Sequence, residues 1–200
     1  MLCRRREARK AYVIRGYGAI TVQMRFCSLA GFVVALIIST VAADAQAPAA
    51  TPSVVPFSQE ILDAHNKYRL AVGVPPLVWS NDLASAAQVW ANTLNSNLQF
   101  AHDSGAGAQN QGENIWMGTT GAFSLTQMVD SWGSEQQNFQ NGSFPNVSTT
   151  RNWFDVAHYS QMVWRGTTSV GCAGVPGSDG NYRLVCRYSP AGNIQGQQVF

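Results

Sequence analysis

Two histidines and two glutamates hold most of the chemistry this chain could perform. His102 and His158 each lie at or near the edge of an expected element, in polar or mixed surroundings. Glu113 follows Gly112 at the start of a short strand pattern, and Glu135 lies one turn after Trp132, where it projects beyond an apolar helix face. Two imidazoles and two carboxylates suit a zinc-type ion, although their spacing alone does not bring them together. The third histidine, His65, falls on an apolar helical stripe with Asn66 and Arg69 beside it and reads as a hydrogen-bonded core residue.

Other catalytic arrangements find little support. The sequence has no His-Glu-x-x-His helix, no Gly-x-Ser-x-Gly elbow and no phosphate-binding glycine loop. A Glu113–Glu135 pair for glycoside hydrolysis has no further acidic cluster behind it. A cysteine nucleophile would require Cys172 or Cys186 to be free, and their placement argues for a structural pair. Runs 170–175 and 182–188 flank a Gly- and Pro-containing link, the second alternating as a strand at Tyr182, Leu184, Cys186 and Tyr188, and the two cysteines are equidistant from Asp179 at the middle of the link. A regular hairpin sets them opposite each other, within reach of a disulfide.

The elements that must position these groups follow from periodicity. A first helix, capped by Ser58 and stopped by Pro75-Pro76, places Ile61, Leu62, His65, Tyr68 and Val72 on one stripe. A second, about 81–95, aligns Leu83, Ala86, Ala87, Trp90, Ala91 and Leu94. A third, about 124–137, turns Leu125, Met128, Val129 and Trp132 inward. Residues 114–117 read as a short strand, and Tyr159, Met162 and Val163 fit a short fourth helix before the final hairpin. Helices first and strands later, without regular alternation, predict an α+β fold with helices on a small antiparallel sheet.

Charge and composition narrow the function. Only 12% of the 200 residues are charged, against roughly a quarter in typical domains, which excludes a charge-rich disordered chain or a coiled coil. Seven of the 13 basic residues precede residue 46; beyond it six face nine acidic ones, a net charge of −3. So few scattered cations exclude a nucleic-acid binder.

The apolar run 29–43, preceded by Arg25 and followed by Ala43-Asp44-Ala45, has the layout of a secretory signal peptide. Cleavage is expected after Ala45, with Ala47 as the alternative site; an uncleaved anchor is the competing account. Residues from Met24 form a complete signal peptide by themselves, so Met24 is a candidate start and residues 1–23 an upstream extension; a mitochondrial presequence is the rival reading. Residues 46–56, rich in Ala, Pro, Thr and Val, form a linker. The folded unit is then residues 57–200, one domain of 144 residues.

Four segments together resemble one family: Ala64-His65-Asn66-Lys67-Tyr68-Arg69; Gly112-Glu113-Asn114-Ile115; His158-Tyr159-Ser160-Gln161-Met162-Val163-Trp164-Arg165; and Val170-Gly171-Cys172-Ala173 with Cys186-Arg187-Tyr188-Ser189-Pro190-Ala191-Gly192-Asn193. They look like the CAP superfamily of cysteine-rich secretory, antigen 5 and plant pathogenesis-related group 1 proteins. The resemblance implies a three-layer α-β-α sandwich and a cavity carrying a His/Glu tetrad, which falls here on His102, Glu113, Glu135 and His158. It also implies weak divalent metal binding, zinc included, mainly through the histidines. Asp103 stands where the family usually has serine, which changes the hydrogen bonding around His102. One disulfide replaces three or more, and no Cys-rich extension follows.

Three functions follow from the resemblance. The first is a secreted monomer holding a sterol or fatty-acid type lipid, with Phe139, Phe144, Trp153 and Phe154 of the 139–154 loop lining the pocket; the same aromatics could equally be core anchors for a long loop. The second is a metal-dependent hydrolase. The third is an extracellular module for an unknown protein partner. The segments Asn141-Gly142-Ser143 and Asn146-Val147-Ser148 are glycan acceptors in a eukaryotic source. Residues 190–200 resemble a peptide released from plant members, with a packed tail as the competing expectation.

Overall fold

The computed structural model describes residues 8–14, 17–24 and 55–200. Ala8–Ile14 (β1) and Tyr17–Met24 (β2) pair as an antiparallel hairpin. The expected signal-peptide run at 29–43 and most of the linker lie outside the described residues.

In the unit from residue 55 onward, Phe57–Ala71 (α1) is followed by Val78–Trp79 (β3), Asn81–Asn97 (α2), Gly112–Thr119 (β4), Leu125–Gly133 (α3), Ala157–Met162 (α4), Ser169–Pro176 (β5) and Asn181–Ser189 (β6). The strands order β3-β5-β6-β4. β6 is antiparallel to both β4 and β5, but β3 joins β5 in parallel, so the sheet is mixed rather than wholly antiparallel. A two-residue strand carries no alternation, which is why β3 escaped a periodicity reading.

Helices cover both faces. Ala87, Ala91 and Leu94 of α2 pack on Ile115, Ala173 and Val185. Residues of α1, α3 and α4, among them Ile61, Val129, Trp132 and Met162, pack on Cys172, Leu184, Cys186 and Tyr188 of the opposite face. The result is an α-β-α sandwich. Gly171 lets α2 lie close on β5, because a Cβ there would collide with the backbone of Ser80 and Ala84.

Helix ends follow local chemistry. The Ser80 hydroxyl accepts from the Leu83 amide at 3.3 Å to cap α2, and Ser124 with Gln127 forms a capping box on α3. At α1 the N-cap is Pro56 rather than Ser58, and no side chain caps it. The helix stops at Gly73, whose positive φ of 69° places it in the left-handed region, with the Val74 amide bonded back to the Arg69 carbonyl at 2.9 Å. That glycine ends the helix before Pro75 is reached.

Cys172 and Cys186 are register partners and form the expected disulfide, with Cα atoms 4.1 Å apart. The C-terminal tail packs on the domain: Val199 is buried, its carbonyl accepts from the Arg165 amide, and Phe200 meets Phe139.

Candidate functional site

The four tetrad residues form two His–Glu pairs at the start of β4. Alternation along β4 turns Glu113, like Ile115 two residues on, toward α2, and Asn114 toward the opposite helical layer. His102, from the segment after α2, sets Nδ1 2.7 Å from Glu113 Oε1. The same oxygen accepts from the Asp103 amide at 3.0 Å. The His102 side chain is 58% exposed while that of Glu113 is 4% exposed, so a buried carboxylate holds an imidazole at the surface.

The second pair belongs to the other layer. Glu135 follows α3, and its Oε1 meets His158 Nδ1 at 2.6 Å. Its Oε2 accepts from the His158 and Tyr159 amides, both at 3.0 Å, satisfying the first turn of α4. Trp132 stacks on the His158 ring at 6.1 Å between centroids. Its indole N–H is fixed by the Ile115 carbonyl. The halves are joined through Asn114, whose amide donates to the His158 carbonyl at 3.1 Å.

Arg187 and Asp103 complete the first half and were not singled out as site residues from the sequence. Arg187 is the register partner of Glu113 and is 1% exposed. Its Nη2 meets Asp103 Oδ2 at 2.6 Å and its Nη1 reaches Gln111. Its Nε lies 3.0 Å from Glu113 Oε2, close enough for an ion pair though out of line for a hydrogen bond. The Arg187 guanidinium holds the Asp103 carboxyl below the usual carboxylate range, against an opposing effect of burial. The aspartate that replaces serine therefore serves as the counter-ion of a buried arginine. One signal was available: Arg187 alternates with Cys186 and Tyr188, putting a cation on the buried opposite face of a strand.

The donor chemistry fits a zinc-type ion only in part. Among the described residues no group of three or more His, Cys, Asp or Glu side chains could hold a metal ion. Each glutamate oxygen already faces its own donor or cation, whereas Nε2 of each tetrad histidine has no hydrogen-bond partner among the described residues. A carboxylate on Nδ1 with Nε2 left for a ligand is the arrangement that orients metal-binding histidines. The glutamates thus fit behind the imidazoles better than on an ion.

The loop aromatics divide. Phe139 packs on Tyr159 and Phe200, and Phe144, 7% exposed, packs on Trp153 and Trp164; both anchor the loop in the core. Trp153 is half-buried, and Phe154, 65% exposed, stacks on it at 3.8 Å between centroids. A groove of about 580 Å³ lies elsewhere, between α2 and β5.

A family model described as CAP, the cysteine-rich secretory protein family, matches residues 62–188. Pathogenesis-related protein 1B of Nicotiana tabacum is 35% identical over 142 residues, covering 71% of this chain and 80% of its own length. Venom allergen 5 of Vespa magnifica is 34% identical over 166 residues, covering 70% of each. Among solved structures, NaASP2 with Zn2+ aligns with a TM-score of 0.61 at 24% identity, covering 72% of this chain and 84% of that one, a likeness of fold. BmVAL-1 aligns with a TM-score of 0.59 at 25% identity, covering 72% and 81%.

Proposed function

The chain belongs to the CAP family of cysteine-rich secretory proteins, and on that premise we propose that it is a secreted, non-catalytic binding protein. It takes a divalent ion of the zinc type through His102 and His158, and an apolar lipid of the sterol or fatty-acid class at the exposed end of the 139–154 loop. The observation that carries the non-catalytic reading is the engagement of both glutamates. Glu135 receives three donors, and Glu113 receives two besides the charge of Arg187. A metal-dependent hydrolase needs a carboxylate able to take a proton from water; both oxygens of Glu135 already accept hydrogen bonds, and Glu113 Oε2 is buried against the Arg187 guanidinium. The His102 and His158 imidazoles would hold the ion, which would supply a positive charge there. The chain's own part is to hold each ring in one tautomer, with Nδ1–H donating to the carboxylate and the Nε2 lone pair outward.

Lipid contact rests on Phe154, an exposed aromatic stacked on a second ring. Export rests on the signal-peptide layout of residues 25–45 and on the single disulfide, which suits an oxidising compartment.

Native mass spectrometry of the exported protein with zinc and a sterol and fatty-acid mixture tests all three parts. The expected chain begins at Gln46, binds zinc in a form lost in both His102→Ala and His158→Ala, and carries a lipid adduct. Peptide or ester turnover that disappears in His158→Ala with the fold intact would instead establish the hydrolase.

A further inference from the structure

The groove between α2 and β5 runs along a stretch of sheet edge with no partner strand. β3 covers β5 only at Ser169 and Val170, and the Ser80 amide donates to the Val170 carbonyl. Because successive residues of a strand alternate the direction of their backbone groups, Val170 faces β3, Gly171 and Ala173 face β6, and Cys172 and Gly174 face outward. Among the described residues nothing pairs with the outward N–H and C=O of Cys172 and Gly174, although Cys172 is itself buried. Natural sheets protect such an edge with charge, proline or a covering segment. Here the first proline is Pro176, and no side chain lining the groove is charged.

We propose that this edge is a docking site for a short extended peptide of uncharged residues, which adds to the sheet as a strand beside β5. An unpaired donor and acceptor at each of two alternate residues complement a peptide backbone, and a lipid chain or sterol ring offers neither. The walls fit alternating side chains: Phe57 and Tyr182 on one side are aromatic, while Ala84, Ser85 and Gln88 of α2 on the other are small or amide. Size argues against a second copy of the chain. Nine residues line the groove, against about 20–30 on each side of a stable protein interface.

The test uses the 200-residue chain and a capped, uncharged heptapeptide alternating valine with threonine. Amide hydrogen exchange at Cys172 and Gly174 is expected to be fast in the free protein and to slow about tenfold or more on saturation with peptide. Methylating alternate peptide nitrogens, which removes the ladder donors, is expected to abolish binding, as is Ser85→Trp, which fills the groove from an exposed position of α2. Equal binding of the N-methylated peptide overturns the proposal, because the groove would then be reading apolar surface alone. Slow exchange at both amides before peptide is added also overturns it, since another segment of the chain would already hold the edge. Dimerisation that Ser85→Trp abolishes would assign the edge to a second copy instead.

Discussion

Nε2 of His65 lies 2.8 Å from the phenol oxygen of Tyr188, across 123 residues of sequence, in a core where both side chains are fully buried. The Ile61 carbonyl, 2.8 Å from Nδ1, can only accept, so Nδ1 carries the proton and Nε2 accepts from the Tyr188 hydroxyl. That hydroxyl in turn accepts from the Asn114 amide, which also donates to the His158 carbonyl. The core histidine is thus tied by a chain of hydrogen bonds to the backbone of the site histidine.

Burial pushes His65 down to about 4 from an ordinary 6.5, outweighing the opposing hydrogen bond to Ile61. The folded protein therefore refuses a proton that the unfolded chain accepts. Stability is complete above pH 6.5 and is lost as pH falls toward 4, by about 3 kcal/mol from this group. Urea denaturation at pH 7.5, 6 and 4.5 should show the decline, and His65→Leu should remove most of its slope in that window. An unchanged slope in the variant would assign the decline to other groups.

Arg69 presents the opposite case, a buried cation without a carboxylate partner among the described residues. Its guanidinium donates to the carbonyls of Pro75, Met162, Trp164 and Thr167 at 2.7–2.9 Å, joining α1 to the turn after α4. Burial lowers it to about 10, so it stays charged at neutral pH. Arg69→Lys keeps a charge but cannot match the planar fork. An ammonium has three donors for four carbonyls, so at least one is left unpaired and the expected cost is about 1–3 kcal/mol, read as a fall of roughly 3–10 °C in Tm. A change below about 1 kcal/mol would mean that water replaces the missing donors.

For the paired imidazoles, the glutamates behind the rings and the histidines themselves should separate in zinc titrations. Glu135→Gln leaves the imidazole in place but weakens its orientation, so zinc affinity should fall about 10–100-fold. His158→Ala removes the donor and should abolish specific binding. Calorimetry with zinc on the two variants decides between these roles. Loss of binding as complete in Glu135→Gln as in His158→Ala would place the carboxylate on the ion.

Several of these features were legible in the sequence for definite physical reasons. The period-2 alternation around Cys186 and the symmetry about Asp179 located the β5–β6 hairpin and its disulfide, because an antiparallel register is set by the turn. The helical repeat of α2 showed its buried face at Leu83, Ala87, Ala91 and Leu94. The start of α1 was not legible, since Ser58 has the composition of a cap while Pro56 occupies the position. Nor was the pairing of Asp103 with Arg187, in which the segment after α2 meets a strand residue 84 positions away. The loop aromatics were ambiguous for the same reason: residue type does not say which ring the fold covers.

That division of the loop gives the sharpest test of the lipid reading. Phe144 is nearly buried between Trp153 and Trp164, and Phe144→Ala should cost about 3–5 kcal/mol of stability by opening a cavity. Phe154 is exposed on top of Trp153, and Phe154→Ala should alter stability by no more than about 0.5 kcal/mol. If lipid binds at this end of the loop, Phe154→Ala should weaken it, because the exposed ring supplies apolar surface to the ligand rather than to the core. Binding of a fluorescent sterol and a fluorescent fatty acid, set against urea midpoints of the same two variants, separates the effects. Lipid affinity that follows stability, falling in Phe144→Ala and unchanged in Phe154→Ala, would remove the loop from the binding site and leave its aromatics as anchors alone.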